Sequence, residues 1–438
     1  MINYSAICND FLCQYGMHPD FFDIEEQTAV FLNEMEKGLC GRNSSLLMLP
    51  TYISVDKPVP REDSVIVIDA GGTNLRIALV SPNQDRALQI FQYEKYPMPG
   101  TNGTISFEQM CDQIAMYLFP LLVHTSNIAI CFSFPAVILP SRDATVLGFN
   151  KEVSINQAED MRLGENIKEA LQRRGVTRNL RITVLNDSVA ALLGAVAMHP
   201  SGYIPSNMGF ILGTGMNLCY FEPNPGIKKI SGLDDSGYMA INTEAGGYNL
   251  LPRGVMDRQL DAESAIPGDM ISEKMMSGAY FGELVLRTAK QAATNGLFTD
   301  SFARKILDCT NLSMQDINQF CNNCAANSTN SLLSNKNDSE LLYGIIDKLW
   351  LRAAKITVMM ITAAAMRLEG YIDGTVPFRI AVEGTTFYKS AMYHQKVMRL
   401  IHTHTEKVLG RKFEFMTVEN ATILGSALAG LITLHNIS

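Results

Sequence analysis

The sequence predicts an α/β fold in two domains, on three observations. The chain has 438 residues, and a single hydrophobic core stops growing near roughly 250 to 300 residues, so two cores are expected. Short runs rich in β-branched residues alternate with helical periodicity beyond Arg61, as strands and helices packed in layers do. The alternation restarts near Met208, as it would in a second unit.

The elements follow in order. Residues 1–60 read mostly as helix, with Val30, Phe31, Met35 and Leu39 on one face before Gly38 and Gly41 break the pattern. Val65–Ile68, Leu75–Val80, Ala129–Phe134 and Ile182–Leu185 read as strands, with helices over Phe107–Leu122 and Asp160–Arg174 between them. A second set opens with strands at Met208–Leu212 and Leu218–Phe221 and turns helix-rich from Gly254. Residues 322–340, dominated by Asn and Ser, read as a loop. Leu341–Leu368 carries Leu342, Ile345, Ile346, Leu349, Ile356, Met359 and Met360 at helical spacing, so its methionines and Trp350 are expected in the core. Phe378–Val382 reads as a strand, and a last helix follows Thr422.

Composition narrows the class. Lys+Arg number 36 against 44 Asp+Glu, a net charge of −8 with no block of like charge, which argues against nucleic acid or an anionic membrane as partner. The nine cysteines are irregularly spaced, and CNNC at Cys321 and Cys324 has no second pair at zinc spacing, so free thiols in a reducing cytosol are expected. The N-terminus lacks a basic n-region, and the apolar run at Val358–Met366 is bracketed by Arg352, Lys355 and Arg367 and is too short to span a bilayer. A cytoplasmic protein with a small-molecule substrate is expected.

The stretch VIVIDAGGTNLRIALV, Val65 to Val80, suggests a phosphate site. It is not a P-loop, which needs GxxxxGK[ST], nor a dinucleotide fingerprint, because Leu75, Ile77 and Leu79 alternate as a second strand. It is a hairpin whose Gly71 and Gly72 would take positive φ and bring N–H groups up to an anion, with the Thr73 hydroxyl beside them. Asp69 beside a polyphosphate implies Mg2+ between them, held through water. Residues 209–222, GFILGTGMNLCYFE, repeat the plan with Gly213, Thr214 and Gly215. Gly-Gly turns also close ordinary hairpins, but two such hairpins would clamp a polyphosphate from two domains.

This layout resembles the actin-like sugar-kinase superfamily, and the chain is similar to the hexokinase family of the eukaryotic type. MEKGL (35–39), MLPTY (48–52), DAGGTNLR (69–76), FSFP (132–135), FNKEV (149–153), LND (185–187), LGTGMNLCY (212–220), INTEAGGY (241–248), SGAYFGELV (277–285) and VEGTTFY (382–388) match that family in colinear order. The resemblance implies a two-domain actin-like ATPase (ribonuclease H-like) fold with a hexose cleft between the domains. It places 61–187 and 421–438 in a small domain and 1–60 and 188–420 in a large one. It also implies transfer of the γ-phosphoryl group of ATP, with Mg2+, to the 6-hydroxyl of a hexose, glucose first, in a monomer or homodimer.

By that resemblance Asp187 is the catalytic base with Lys151 beside it, although Asn186-Asp187-Ser188 opens an apolar helix and the residues alone favour Asp187 as its N-cap. The hexose would be held by Ser133, Asn150, Lys151, Asn186, Asp187, Asn217, Glu244 and Glu283. The nucleotide would be held by Asp69, Gly71, Gly72, Thr73, Asn74, Arg76, Gly213, Thr214, Gly215, Gly384 and Thr385, the last pair where a strand gives way to a helix. Asn150 replaces the family threonine, Glu152 its glycine and Ala245 its tryptophan. These departures leave open mannose or an amino sugar as substrate, and a hexose-binding regulatory protein without catalysis is the competing class.

Overall fold

The computed structural model describes residues 4–54, 63–149, 153–198, 204–325 and 335–432. Two sheets repeat one plan. In the five-stranded sheet the spatial order is Arg181–Leu185, Asn127–Phe132, Val65–Ala70, Asn74–Pro82, Leu88–Pro97. The opening strand Val65–Ala70 is antiparallel to the next in sequence and parallel to Asn127–Phe132. In the six-stranded sheet, Asn207–Leu212 lies likewise between antiparallel Met216–Pro223 and parallel Phe378–Glu383, with Tyr238–Asn242, Leu49–Pro50 and Phe413–Met416 outside them. In each sheet the chain reverses direction beside its opening strand, and ligands collect at the carboxyl ends of parallel strands at such a point. Asp69, Ser133, Asp187, Thr214 and Gly384 all sit at or just beyond those ends.

Two apolar helices, Asp187–Met198 and Ala421–Ile432, lie between the sheets. The second packs Ile423, Ala427 and Leu431 on Val65, Val67, Ala78, Val80 and Ala129 of the five-stranded sheet. The first shares a cluster with Cys219, Phe221 and Ala240 of the six-stranded sheet. They cross so closely that a Cβ at Gly425 would lie 1.8 Å from the Ala190 carbonyl oxygen. The first helix therefore emerges from the small sheet with Asp187 at its start and runs onto the large one.

The largest core surrounds the helix Lys336–Leu368, where Trp350 stacks on Phe281 at 3.5 Å between ring centroids. This helix is long and apolar enough to cross a membrane, yet 83% of its apolar window is buried in the protein. The cations that bracket it are anchored inside. Arg352 makes two 2.7 Å bonds to Asp257, and Lys355 donates to the carbonyls of Pro19 and Phe22.

Of the loop expected over 322–340, residues 326–334 lie outside the described residues, and both ends that are described are helical. Residues 322–325 end the helix Met314–Ala325 and 336–340 begin the long one, with Asn335 capping the Asn337 amide. Asn and Ser clusters serve helix ends as well as loops, and composition alone does not separate the two. Cys321 is buried on the first of these helices, and no metal-binding group of three His, Cys, Asp or Glu occurs among the described residues.

Candidate active site

The first hairpin places Asp69 directly opposite Arg76. A carboxylate only 5% exposed needs partners. Asp69 Oδ2 accepts from Arg76 Nη1 at 2.9 Å and from the Thr422 hydroxyl at 3.0 Å. The turn closes by the Gly71 amide donating to the Asn74 carbonyl at 3.0 Å, while the Asn74 side chain donates to the exposed Thr73 hydroxyl. Neither Gly71 nor Gly72 is among the glycines at positive φ, contrary to expectation. The strands are joined without that conformation, and a Cβ at Gly71 would meet the Asn74 carbonyl oxygen at an ordinary contact distance of 3.5 Å.

The second hairpin is more fully accounted for. The Gly213 carbonyl accepts from the Gly278 amide at 2.8 Å and the Thr386 hydroxyl at 2.8 Å, Thr214 O accepts from the Ala279 amide at 3.1 Å, and Gly215 O from the Gly213 amide at 2.9 Å. The turn's carbonyls are thus used inside the protein, whereas the amides of Thr214 and Gly215 donate to nothing among the described residues. A turn that turns its carbonyls inward and keeps N–H groups to offer suits an anion. Gly384, at φ +116°, ends the strand Phe378–Glu383 against this turn, and a Cβ there would lie 2.2 Å from the Leu212 carbonyl oxygen. Thr385 begins the helix that follows.

Asp187 is not the cap of its helix. The helix starts at Asp187, and Asn186 occupies the cap position. The Asn186 backbone carbonyl accepts from the Ala190 amide, and its Oδ1 accepts from the Ser188 amide at 2.9 Å and the Ser188 hydroxyl at 2.7 Å. Capping is therefore satisfied without the Asp187 carboxylate. Asn186 Nδ2 makes no bond among the described residues.

From Asn186 a hydrogen-bonded chain runs through the hexose residues expected from the sequence. Ser188 Oγ accepts from Asn217 Nδ2 at 3.3 Å, Asn217 Nδ2 also donates to Asn242 Oδ1 at 2.8 Å, and Asn242 Nδ2 donates to Glu244 Oε1 at 2.6 Å. Asn217 Oδ1 accepts from the Leu218 and Ala245 amides. The Asn217 side chain is thus fully engaged at 8% exposure, and a hexose hydroxyl would have to exchange with one of these bonds, the long one to Ser188 first. Glu244 has a left-handed backbone, φ 55° and ψ 45°, which costs a non-glycine residue about 1–2 kcal/mol. Its carboxyl lies above the usual carboxylate range, because burial and then the Asp187 charge outweigh the bonds from Asn242 and Asn217.

Glu383 closes the group. Burial raises its carboxyl, Arg76 lowers it, and Asp69 and Asp187 raise it again. Burial, Asp69 and Asp187 likewise raise the Cys131 thiol, which also bonds to Ser133. The charges of Asp69 and Asp187 both reach Glu383 and Cys131, and that of Asp187 reaches Glu244, so these acids gather near one another beside the two hairpins. Glu283 lies in the first turn of the helix Phe281–Thr294, paired with Arg287 at 2.8 Å. Asn150, Lys151 and Glu152 lie outside the described residues. Ala245 is fully buried.

Sequence reasoning missed Ser188, Asn242, Glu383 and Thr422. The first three fall inside or beside quoted motifs, where alternation along a strand end could have suggested them. Thr422 meets Asp69 across 353 residues, and nothing local marks it. For a divalent cation this group fits in its charge, since Asp69 and Asp187 raise the proton affinity of neighbouring acids and a cation would relieve them. Mg2+ takes one or two carboxylates plus phosphate oxygens, and Asp69 at the rim of the first hairpin can act through water.

Two family models, both described as Hexokinase, match residues 207–432 and 14–197. The chain is 26% identical over 443 residues to Hexokinase of Kluyveromyces lactis, covering 93% of this chain and 88% of that one. It is 27% identical over 408 residues to Hexokinase-2 of Saccharomyces cerevisiae, covering 85% and 80%. Among solved structures, the hexokinase from Schistosoma mansoni complexed with glucose superposes with a TM-score of 0.76 at 20% identity, covering 98% of this chain and 100% of that one.

Proposed function

The chain belongs to the hexokinase family, and on that premise we propose that its cleft transfers the γ-phosphoryl group of ATP to the 6-hydroxyl of a hexose, glucose first. The observation that carries this reading is the chain Asn186–Ser188–Asn217–Asn242–Glu244 beside Asp187. It gathers fixed polar groups around one spot, as recognition of a polyol requires.

Phosphoryl transfer needs positioning, charge stabilisation and a base for one proton. Asp187, relieved of capping, takes the proton of the 6-hydroxyl. Asn186 Nδ2 and the Glu244 carboxylate orient the ring hydroxyls, with Ser133, Asn150, Lys151, Asn217 and Glu283 completing the hexose set. The Thr214 and Gly215 amides receive phosphate oxygens from the large domain, and the first hairpin with Arg76 receives them from the small one, with Gly384 and Thr385 at the rim. Mg2+, when bound, would be held through water by Asp69 and would screen the phosphate charge. We assign 61–187 and 421–438 to the small domain and 1–60 and 188–420 to the large one, because the helix Ala421–Ile432 packs on the small sheet. The working site is the cytosol.

A coupled assay with Mg-ATP across glucose, mannose, fructose and glucosamine tests the reading. It predicts hexose 6-phosphate from at least one sugar. Hexose binding without phosphorylation of any would favour the regulatory alternative.

A further inference from the structure

Glu273 belongs to none of the roles above. It lies on the short helix Ile271–Met276, and its Oε2 accepts from the amide of Met216, the residue that leaves the second hairpin's turn, at 3.0 Å. The carboxylate packs against the turn itself, since a Cβ at Gly215 would come within 2.7 Å of that oxygen. Its neighbour Ser272 reaches the loop after Glu244, with its Oγ also 3.8 Å from Met216 Sδ. Ser272 Oγ donates to the carbonyls of Ala245 at 2.5 Å and Gly246 at 3.0 Å, the two residues that follow Glu244, and its amide donates to Tyr248 O. Lys274, only 2% exposed, pins the helix by donating to Asp261 Oδ1 at 2.7 Å and Ile266 O at 2.6 Å. The chain then supplies the Gly278 and Ala279 amides that hold the turn's carbonyls.

Two adjacent residues on one pinned helix thus grip the two halves of the cleft. A carboxylate near a polyphosphate opposes its binding unless the charge is committed elsewhere. Here one oxygen is committed to a backbone amide, a charge-assisted bond stronger than a neutral one. We propose that Glu273 is a positioning residue for the nucleotide, holding the Gly213–Met216 turn so that the Thr214 and Gly215 amides face the phosphates, while Ser272 does the same for the hexose loop. This rests on the hexokinase reading, because it takes the second hairpin as the phosphate site.

The test is calorimetric binding of Mg-ADP and, separately, of glucose, to the full chain with Glu273→Ala, Glu273→Gln and Ser272→Ala, alongside melting temperatures. Glu273→Ala strands the buried Met216 amide and is expected to weaken Mg-ADP about tenfold to a hundredfold while glucose changes less than about threefold. Glu273→Gln keeps an acceptor and should recover most of the nucleotide affinity. Ser272→Ala should show the reverse selectivity, losing glucose and keeping Mg-ADP. The proposal is overturned if Glu273→Ala binds Mg-ADP normally, if Gln fails as badly as Ala, or if all variants lose both ligands in parallel with their melting temperatures. A wild-type chain that binds Mg-ADP but phosphorylates no hexose sinks the hexokinase reading and leaves this measurement decisive. A wild-type chain that binds no Mg-ADP overturns both.

Discussion

Asn242 donates its side-chain amide to Glu244 Oε1 at 2.6 Å and accepts from Asn217 on its other side. It thereby fixes the acidic residue proposed for the hexose wall, and Oδ1 also accepts from the Glu244 amide at 3.3 Å. The link is local in sequence but works only because the strand Tyr238–Asn242 runs beside Met216–Pro223.

Asn242→Ala should therefore raise the glucose KM by roughly tenfold or more with a smaller change in kcat, since a buried acceptor and donor lose their partner. Steady-state kinetics at saturating Mg-ATP measures the split. An unchanged KM would place Asn242 outside hexose recognition.

Glu244→Gly should separate stability from function. The left-handed backbone suits glycine, and a buried carboxyl disappears, so the melting temperature is expected to hold or rise while glucose affinity collapses. A variant that melts lower and binds glucose normally would show that the conformation serves packing alone.

The folded chain holds the protons of Glu244 and Glu383 more tightly than the ordinary carboxylate value of 4.5. Above that value the folded state binds more protons than the unfolded one, so the two groups lower stability as pH rises through the window up to their folded pKa values. Glu383→Gln should make the dependence of melting temperature on pH shallower as pH rises above 4.5. Curves that run parallel to wild type would mean Glu383 is not desolvated in solution.

Asn186→Ala should cost about 0.5–2 kcal/mol of stability through the lost cap. Chemical denaturation reads it, and Asp187→Ala in the same host should cost less. Equal losses would return the capping role to Asp187.

Much of this was legible in the sequence because it is written locally. The two hairpins declare themselves through glycines between alternating strands, and the repeat of one in the other announces the second domain. The acids and amides proposed for the hexose wall came from motif order and not from pattern, for each alone reads as a surface or turn residue. What stayed hidden was pairing across the fold. The Thr422 bond to Asp69 joins residues 353 apart in sequence, and the position of Glu383 beside Asp187 exists only once two sheets face each other. The choice between Asn186 and Asp187 as cap turns on a single residue of register, which the 3.6-residue period does not resolve.

The most direct measurement is kcat of Asp187→Asn under saturating glucose and Mg-ATP. Asparagine keeps the size of the side chain but cannot take a proton at neutral pH, and the cap belongs to Asn186. The predicted result is a fall in kcat of about 10² to 10⁴ with a near-native melting temperature. A kcat close to wild type would contradict the assignment of Asp187 as the base.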